Sequence, residues 1–133
     1  MKYMLDTNVI IYLKENLNDA VKKKFASVSK EDICISSITY AELEYGIYHS
    51  TKREQNRLAI MLILAGISIL PFNDAAAVHY GMIRDYLVKN GIQVGANDML
   101  IAAHARANNL CLVTHNSKEF ERIPDLSVED WFV

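Results

Sequence analysis

Asp6 follows the apolar pair Met4-Leu5, Glu42 stands between Ala41 and Leu43, and Asp98 precedes the apolar stretch Met99–Ala103. A further polar group, Thr114-His115-Asn116, follows Leu110–Val113, and Glu119 lies one helical turn beyond it. Carboxylates brought within a few ångströms repel one another, and all stay ionised only when a cation compensates. Oxygen donors of this kind suit hard divalent ions such as Mg²⁺ or Mn²⁺, which keep several waters free for chemistry. Such an ion generates a hydroxide-like nucleophile and polarises a phosphoryl oxygen; two ions ~3.5–4 Å apart clamp both the attacking and the leaving oxygen. One or two ions at these acids would therefore suit hydrolysis of a phosphodiester. Taken singly, the acids carry little. An acid after a strand ordinarily serves a turn or a cap, Asp98 answers the dipole of its helix, and Glu42 would be a surface charge.

What gives them meaning is the set of elements that must bring them together. Short apolar runs alternate along the chain with segments of helical period. Strands are predicted at Lys2–Leu5, Ile33–Ile35, Ile67–Leu70 and Leu110–Val113, with a short last one near Leu126–Val128. Helices are predicted from about Asn8, over Asp19–Val28, from Ser36 or Ser37 to about His49, and over Thr51–Ala65. Two more run from Asn73 or Asp74 to Gly91 and over Asp98–Asn108, the latter capped by Asn97. That last helix is apolar on nearly every side, which places it deep. The alternation defines an α/β sandwich around a mainly parallel sheet. Sheets of this kind bind ligands beyond the carboxyl ends of their strands, at a switch in strand order. Asp6, Glu42, Asp98 and the Thr114-His115-Asn116 group all fall toward that edge.

The 133 residues suit one domain, 1–133. With 51% hydrophobic and 23% charged residues against 5 Gly and 2 Pro, disordered, collagen-like and low-complexity classes are excluded. The balance of 14 Lys+Arg against 16 Asp+Glu, net −2, excludes a protein that holds nucleic acid by bulk positive charge. Local contacts remain open. Lys22, Lys23, Lys24, Lys52, Arg53, Arg57 and Arg84 are the phosphate candidates, and Tyr45 and Tyr48 could stack on bases. Cys34 and Cys111 sit in apolar runs and read as buried free thiols. The carboxylate at position six interrupts any signal-peptide stretch, and Leu58–Phe72 is shorter than the ~20 residues of a spanning helix. A soluble, cytoplasmic protein without a membrane partner is expected. Leu58–Leu64 carries more apolar residues than one face needs, so it either forms an isologous homodimer contact or is wholly buried. His104 reads as a buried, hydrogen-bonded residue, His115 as a neighbour of the site, and Trp131 as the anchor of the C-terminus.

Four stretches and a closing pair cover nearly the whole chain. They are Met4-Leu5-Asp6-Thr7-Asn8, Ile38-Thr39-Tyr40-Ala41-Glu42-Leu43-Glu44-Tyr45-Gly46, and Gly95-Ala96-Asn97-Asp98-Met99-Leu100-Ile101-Ala102-Ala103-His104-Ala105. The fourth is Leu112-Val113-Thr114-His115-Asn116-Ser117-Lys118-Glu119-Phe120-Glu121-Arg122-Ile123, and Asp130-Trp131 closes the set. In this combination the sequence resembles the PIN-domain ribonucleases, specifically the VapC toxins of bacterial type II toxin–antitoxin pairs. The resemblance implies a five-stranded parallel sheet flanked by helices. It also implies a Mg²⁺- or Mn²⁺-dependent endoribonuclease that cuts structured RNA such as tRNA, inhibits translation, and is neutralised by a cognate VapB-type antitoxin. Asp6, Glu42 and Asp98 fall on the family's acidic metal positions, and Thr7 on its motif Thr, where it would order a ligand or phosphate. Many PIN domains carry a fourth acid just after the fourth strand. This chain has Asn116 there, which adds no charge, and Glu119 would supply it from one turn away. The implied mechanism has Asp6 and Asp98 hold the main ion while Glu42 completes its shell or orients the attacking water, leaving a 5′-phosphate and a 3′-hydroxyl.

A phosphorelay receiver is the alternative Mg²⁺-binding α/β protein, but it needs adjacent acids after the first strand, and Asp6 has no acidic neighbour. A phosphatase with an aspartate nucleophile wants a second Asp two residues on, where Asn8 stands and cannot act as a general acid. The glycine-rich phosphate-binding loops of nucleotide enzymes have no counterpart in the chain.

Overall fold

Successive residues of the central strand face opposite sides of the sheet and enter two separate cores, as the two-residue period of a strand requires. The computed structural model describes Met1–Val133. Its strands are β1 (Tyr3–Leu5), β2 (Ile33–Ser36), β3 (Ser68–Leu70), β4 (Cys111–Val113) and β5 (Val128–Glu129). They form one parallel sheet in the order β3-β2-β1-β4-β5, with Met4 opposite Cys34 on one side and Leu112 on the other. Every residue of β2 is buried, as expected of a parallel strand covered on both faces. The helices are α1 (Thr7–Glu15), α2 (Asp19–Ser27), α3 (Ser37–His49), α4 (Arg53–Leu64), α5 (Asp74–Lys89), α6 (Ala96–Ala107) and the short α7 (Ser117–Phe120). Leu5, Ile33, Ile35 and Val113 pack against α1 to α4, while Met4, Cys34 and Leu112 pack against α5, α6 and α7. The α/β/α sandwich and five-stranded parallel sheet are therefore as the sequence implies.

Several boundaries differ for local reasons. Helix α1 begins at Thr7 because Asp6 is itself its N-cap, its side chain accepting from the Val9 N–H at 3.1 Å. Helix α6 begins at Ala96 with Gly95 in the capping position, so Asn97 is inside the helix and its side chain is released for another partner. Helix α5 ends at Lys89, and Gly91, at φ 64°, makes the left-handed turn that glycine adopts at low cost. The last strand lies slightly later than expected, with Val128 opposite Leu112.

Helix α6 is deep, with Ile101 to Ala105 all buried. His104 within it contacts the Ser36 hydroxyl at 2.7 Å and the Pro71 carbonyl. Trp131 is buried, its indole N–H donating to Glu129 at 3.1 Å and its ring edge-on to Tyr3. Cys34 is buried, but Cys111 is only partly so, because its β4 position faces Glu129 near the sheet margin. Burial is the main cause that pushes both thiols up to about 12. On α4 only Ile60 is buried; Leu58, Met61 and Leu62 are exposed, which excludes the wholly buried helix. No helix is long and apolar enough to cross a membrane.

Candidate active site

The chain runs from β1 outward to β3 and then returns to β4 on the other side of β1. The switch in strand order thus falls at β1 and β4, and the crevice beyond their carboxyl ends is framed by Asp6 and Thr114. The Asp6 N–H continues the ladder to the Val113 carbonyl at 3.0 Å, which pins the residue at the strand end. Only 6% of Asp6 is exposed. The Val9 N–H and the buried Thr114 hydroxyl hydrogen-bond its carboxylate, and Thr114 in turn accepts from the Asn116 N–H at 3.0 Å.

Glu42 arrives from α3 and Asp98 from the first turn of α6. The Thr7 hydroxyl donates to one Glu42 oxygen at 2.5 Å, and the Asn97 amide donates to the other at 3.2 Å. Three elements are joined through one carboxylate. Asp6, Thr7, Asn8, Glu42, Asn97 and Asp98 line an open cleft of about 710 Å³, and Tyr45 and Gly46 continue its α3 wall. Asn116 donates to Glu119 at the rim, and His115 beside it faces Asp130 at 3.3 Å and stacks on Phe132.

Burial raises Asp6 to about 6, against the lowering effect of its Thr114 and Val9 hydrogen bonds, and the neighbouring Asp98 and Glu42 add to the rise. Asp98 is likewise raised to about 6 by burial, then by Glu119 and Glu42. None of the ion pairs in the protein involves any of these four acids. The cleft therefore concentrates negative charge without a side-chain counter-ion, and its oxygen donors fit a hard divalent cation. As the side chains stand they surround the cleft rather than close on one point, and no three acids share a cation position. Glu42 is turned to Thr7 and Asn97, and Glu119 to Asn116.

Asp6, Glu42 and Asp98 are thus brought to one cleft from three elements, with Thr7 beside them and Asn116 and Glu119 at the margin. Thr7 meets Glu42 instead of standing free for a ligand. Asn97 escaped the sequence argument, which assigned it to a cap; its place beside Asp98 was the one available signal. Arg57 is bound to Glu44 by two hydrogen bonds of 2.6 and 2.8 Å, so it is not a free phosphate contact.

The PIN domain family matches residues 3–126, and the chain belongs to that family. Within the family it falls among the VapC proteins. Ribonuclease VapC2 of Rickettsia felis is 42% identical over 132 residues, covering 98% of each chain. The tRNA(fMet)-specific endonuclease VapC of Shigella flexneri is 41% identical over 131 residues, again covering 98% of each. Among solved structures, VapBC2 of Rickettsia felis bound to a promoter DNA fragment contains a chain that superposes with a TM-score of 0.92. That chain is 42% identical, and the match covers 98% of this protein and 99% of that one.

Proposed function

We propose that this chain is a single-domain, metal-dependent endoribonuclease, the toxin of a toxin–antitoxin pair, and that it cleaves structured RNA of the tRNA class. The observation that carries this reading is the placement of Asp6 and Asp98. Both are raised to about 6 in one cleft, and neither has a cationic partner. A protein gains nothing in stability from burying like charges together, so the arrangement is best explained by a cation that occupies the cleft during function.

Asp6 and Asp98 are the residues that hold the ion, with Glu42 either completing the set or orienting the attacking water. Bound there, Mg²⁺ or Mn²⁺ supplies an activated water and polarises a phosphoryl oxygen. Thr7 and Asn97 fix the Glu42 carboxylate from both sides, so its lone pairs are aimed before substrate arrives. Asn116 and Glu119 form a second, weaker donor pair at the rim, suited to an outer water or a second ion. The name of the Shigella relative supports tRNA as the substrate, with arrested translation as the consequence. The VapBC complexes support a VapB-type antitoxin as partner. The exposed Leu58, Met61 and Leu62 support a homodimer contact on α4. A cytoplasmic location belongs to the same proposal.

Incubation with total tRNA in Mg²⁺, Mn²⁺ or EDTA, followed by end-mapping, tests the proposal. Cleavage that needs the metal and leaves 5′-phosphates is the expected result. RNA left intact under every condition would overturn it, and so would equal cleavage in EDTA.

A further inference from the structure

On α3, Glu42, Tyr45 and His49 follow one another at three- and four-residue spacing, which puts them on one helix face. Tyr45 borders the acidic cleft and is 69% exposed. Its ring lies nearly parallel to that of His49, with centroids 5.5 Å apart and planes 16° apart. Neither ring belongs to either hydrophobic core. Beside Tyr45, and on the same side of the helix as Glu42 four residues earlier, Gly46 has nothing within 4 Å of where a Cβ would stand, so the helix surface there is open. Helical rise places Tyr45 about 5 Å and His49 about 10 Å along the axis from Glu42. That is about one to three nucleotide steps at the ~3.4 Å stacked spacing.

Immediately past His49, the α3–α4 corner exposes Lys52 and Arg53, with the Arg53 guanidinium 5.4 Å over the Tyr48 ring. The order along this surface is therefore acids, stacked rings with an open floor beside them, cations. A strand of RNA entering an acidic cleft on a protein of net charge −2 finds little electrostatic attraction near the scissile bond. Stacking supplies what charge does not, since every base has a π face and an aromatic platform serves any of them.

We propose that Tyr45 and His49 form a base-stacking shelf for an unpaired nucleotide flanking the cleaved bond, with Lys52 and Arg53 receiving the phosphates beyond it. The inference rests on the nuclease reading above and deepens it: the substrate segment is single-stranded and is held by its bases. The same exposed rings could lie under a protein partner, and the test separates the two.

A hairpin RNA with a single 2-aminopurine in its loop is titrated with the metal-free protein, and cleavage of tRNA is measured in parallel with Mg²⁺. The shelf is supported if wild-type protein quenches the 2-aminopurine, Tyr45→Ala abolishes the quenching, and Tyr45→Phe restores it. In the cleavage arm Tyr45→Ala raises KM roughly 5- to 100-fold with little change in kcat, the range expected for loss of one stacked base. Unaltered quenching and KM in Tyr45→Ala overturn the shelf and leave the nuclease intact. If Tyr45→Ala instead weakens self-association or antitoxin binding at unchanged KM, the rings belong to a protein interface and the shelf is overturned. Quenching by a wild-type protein that cleaves no RNA keeps the shelf and defeats the nuclease reading.

Discussion

The Asn97 amide reaches across from α6 to hold the Glu42 carboxylate of α3 at 3.2 Å, on the oxygen that the Thr7 hydroxyl leaves free. A carboxylate gripped on both oxygens has one orientation, and the cleft wall acquires rigidity where two helices and the end of β1 meet. Removing either donor frees Glu42 without altering its charge. Asn97→Ala and Thr7→Val are each expected to lower kcat about tenfold or more, the scale of one hydrogen bond to a charged group. KM for tRNA changes less than kcat, because the hydrogen bonds both side chains make in the cleft go to Glu42. Steady-state cleavage kinetics check this, and an unchanged kcat in both variants would count against a positioning role.

The proximity of Asp6 and Asp98 also predicts how the metal-free protein responds to pH. Both carboxyls bind protons more tightly folded than unfolded, being raised from 3.8 to about 6. Between those values the native state holds the extra protons, so these two groups make stability fall as pH rises, and the whole penalty is incurred above about 6. Asp6→Asn keeps the shape of the side chain and removes its charge. Thermal melts of the two proteins should therefore diverge in the variant's favour from about pH 4 to about pH 7. The variant loses tRNA cleavage throughout. A melting difference that does not change with pH would show that Asp6 ionises freely in the fold.

Mg²⁺ acts on the same groups with the opposite sign. A cation that binds only the folded state stabilises it by mass action, and it competes with the protons on Asp6 and Asp98. Millimolar Mg²⁺ is expected to raise Tm clearly near pH 7 and much less near pH 5, where both carboxyls are largely protonated. Asp98→Asn should remove most of the shift. Differential scanning fluorimetry over a Mg²⁺ series at the two pH values measures it; an equal shift in wild type and Asp98→Asn would place the ion elsewhere.

Much of this was legible from the chain. Parallel strands covered on both faces read as short apolar runs, so β1, β2 and β4 could be found from Met4-Leu5, Ile33-Cys34-Ile35 and Leu112-Val113. The carboxyl-end rule then located Asp6, Glu42 and Asp98 before any geometry was known. What escaped was pairwise. Whether Asn97 caps its own helix or crosses to Glu42 depends on the packing of α6 against α3. A single residue's type does not carry that information. Arg57 likewise looked available for phosphate because its partner Glu44 lies on another helix, thirteen residues earlier. Helix α4 looked apolar enough for burial, yet only Ile60 of it is buried and Ile63 and Leu64 pack partly against the same core, because the neighbouring α1 and α3 cover a single stripe.

His104 ties the sheet to α6 behind the site. Its Nδ1 lies 2.7 Å from the Ser36 hydroxyl, which also accepts from the Ile38 N–H as the cap of α3, and the other ring nitrogen serves the Pro71 carbonyl. Ser36 therefore donates to Nδ1, and the imidazole is neutral with its proton on Nε2. Burial holds its pKa below the ordinary 6.5. The unfolded chain consequently binds the extra proton, and the stability that His104 contributes is complete above about 6.5 and is lost as pH falls through the lowered folded value. His104→Ala opens a cavity and strands the Ser36 proton, at a cost of about 2–4 kcal/mol near neutral pH. Because the wild type alone suffers the acid-side loss, the gap between the two should narrow below about pH 6.5. Urea unfolding at several pH values measures the gap. If it stays constant or widens toward acid, His104 takes up its proton inside the fold and the neutral tautomer is wrong.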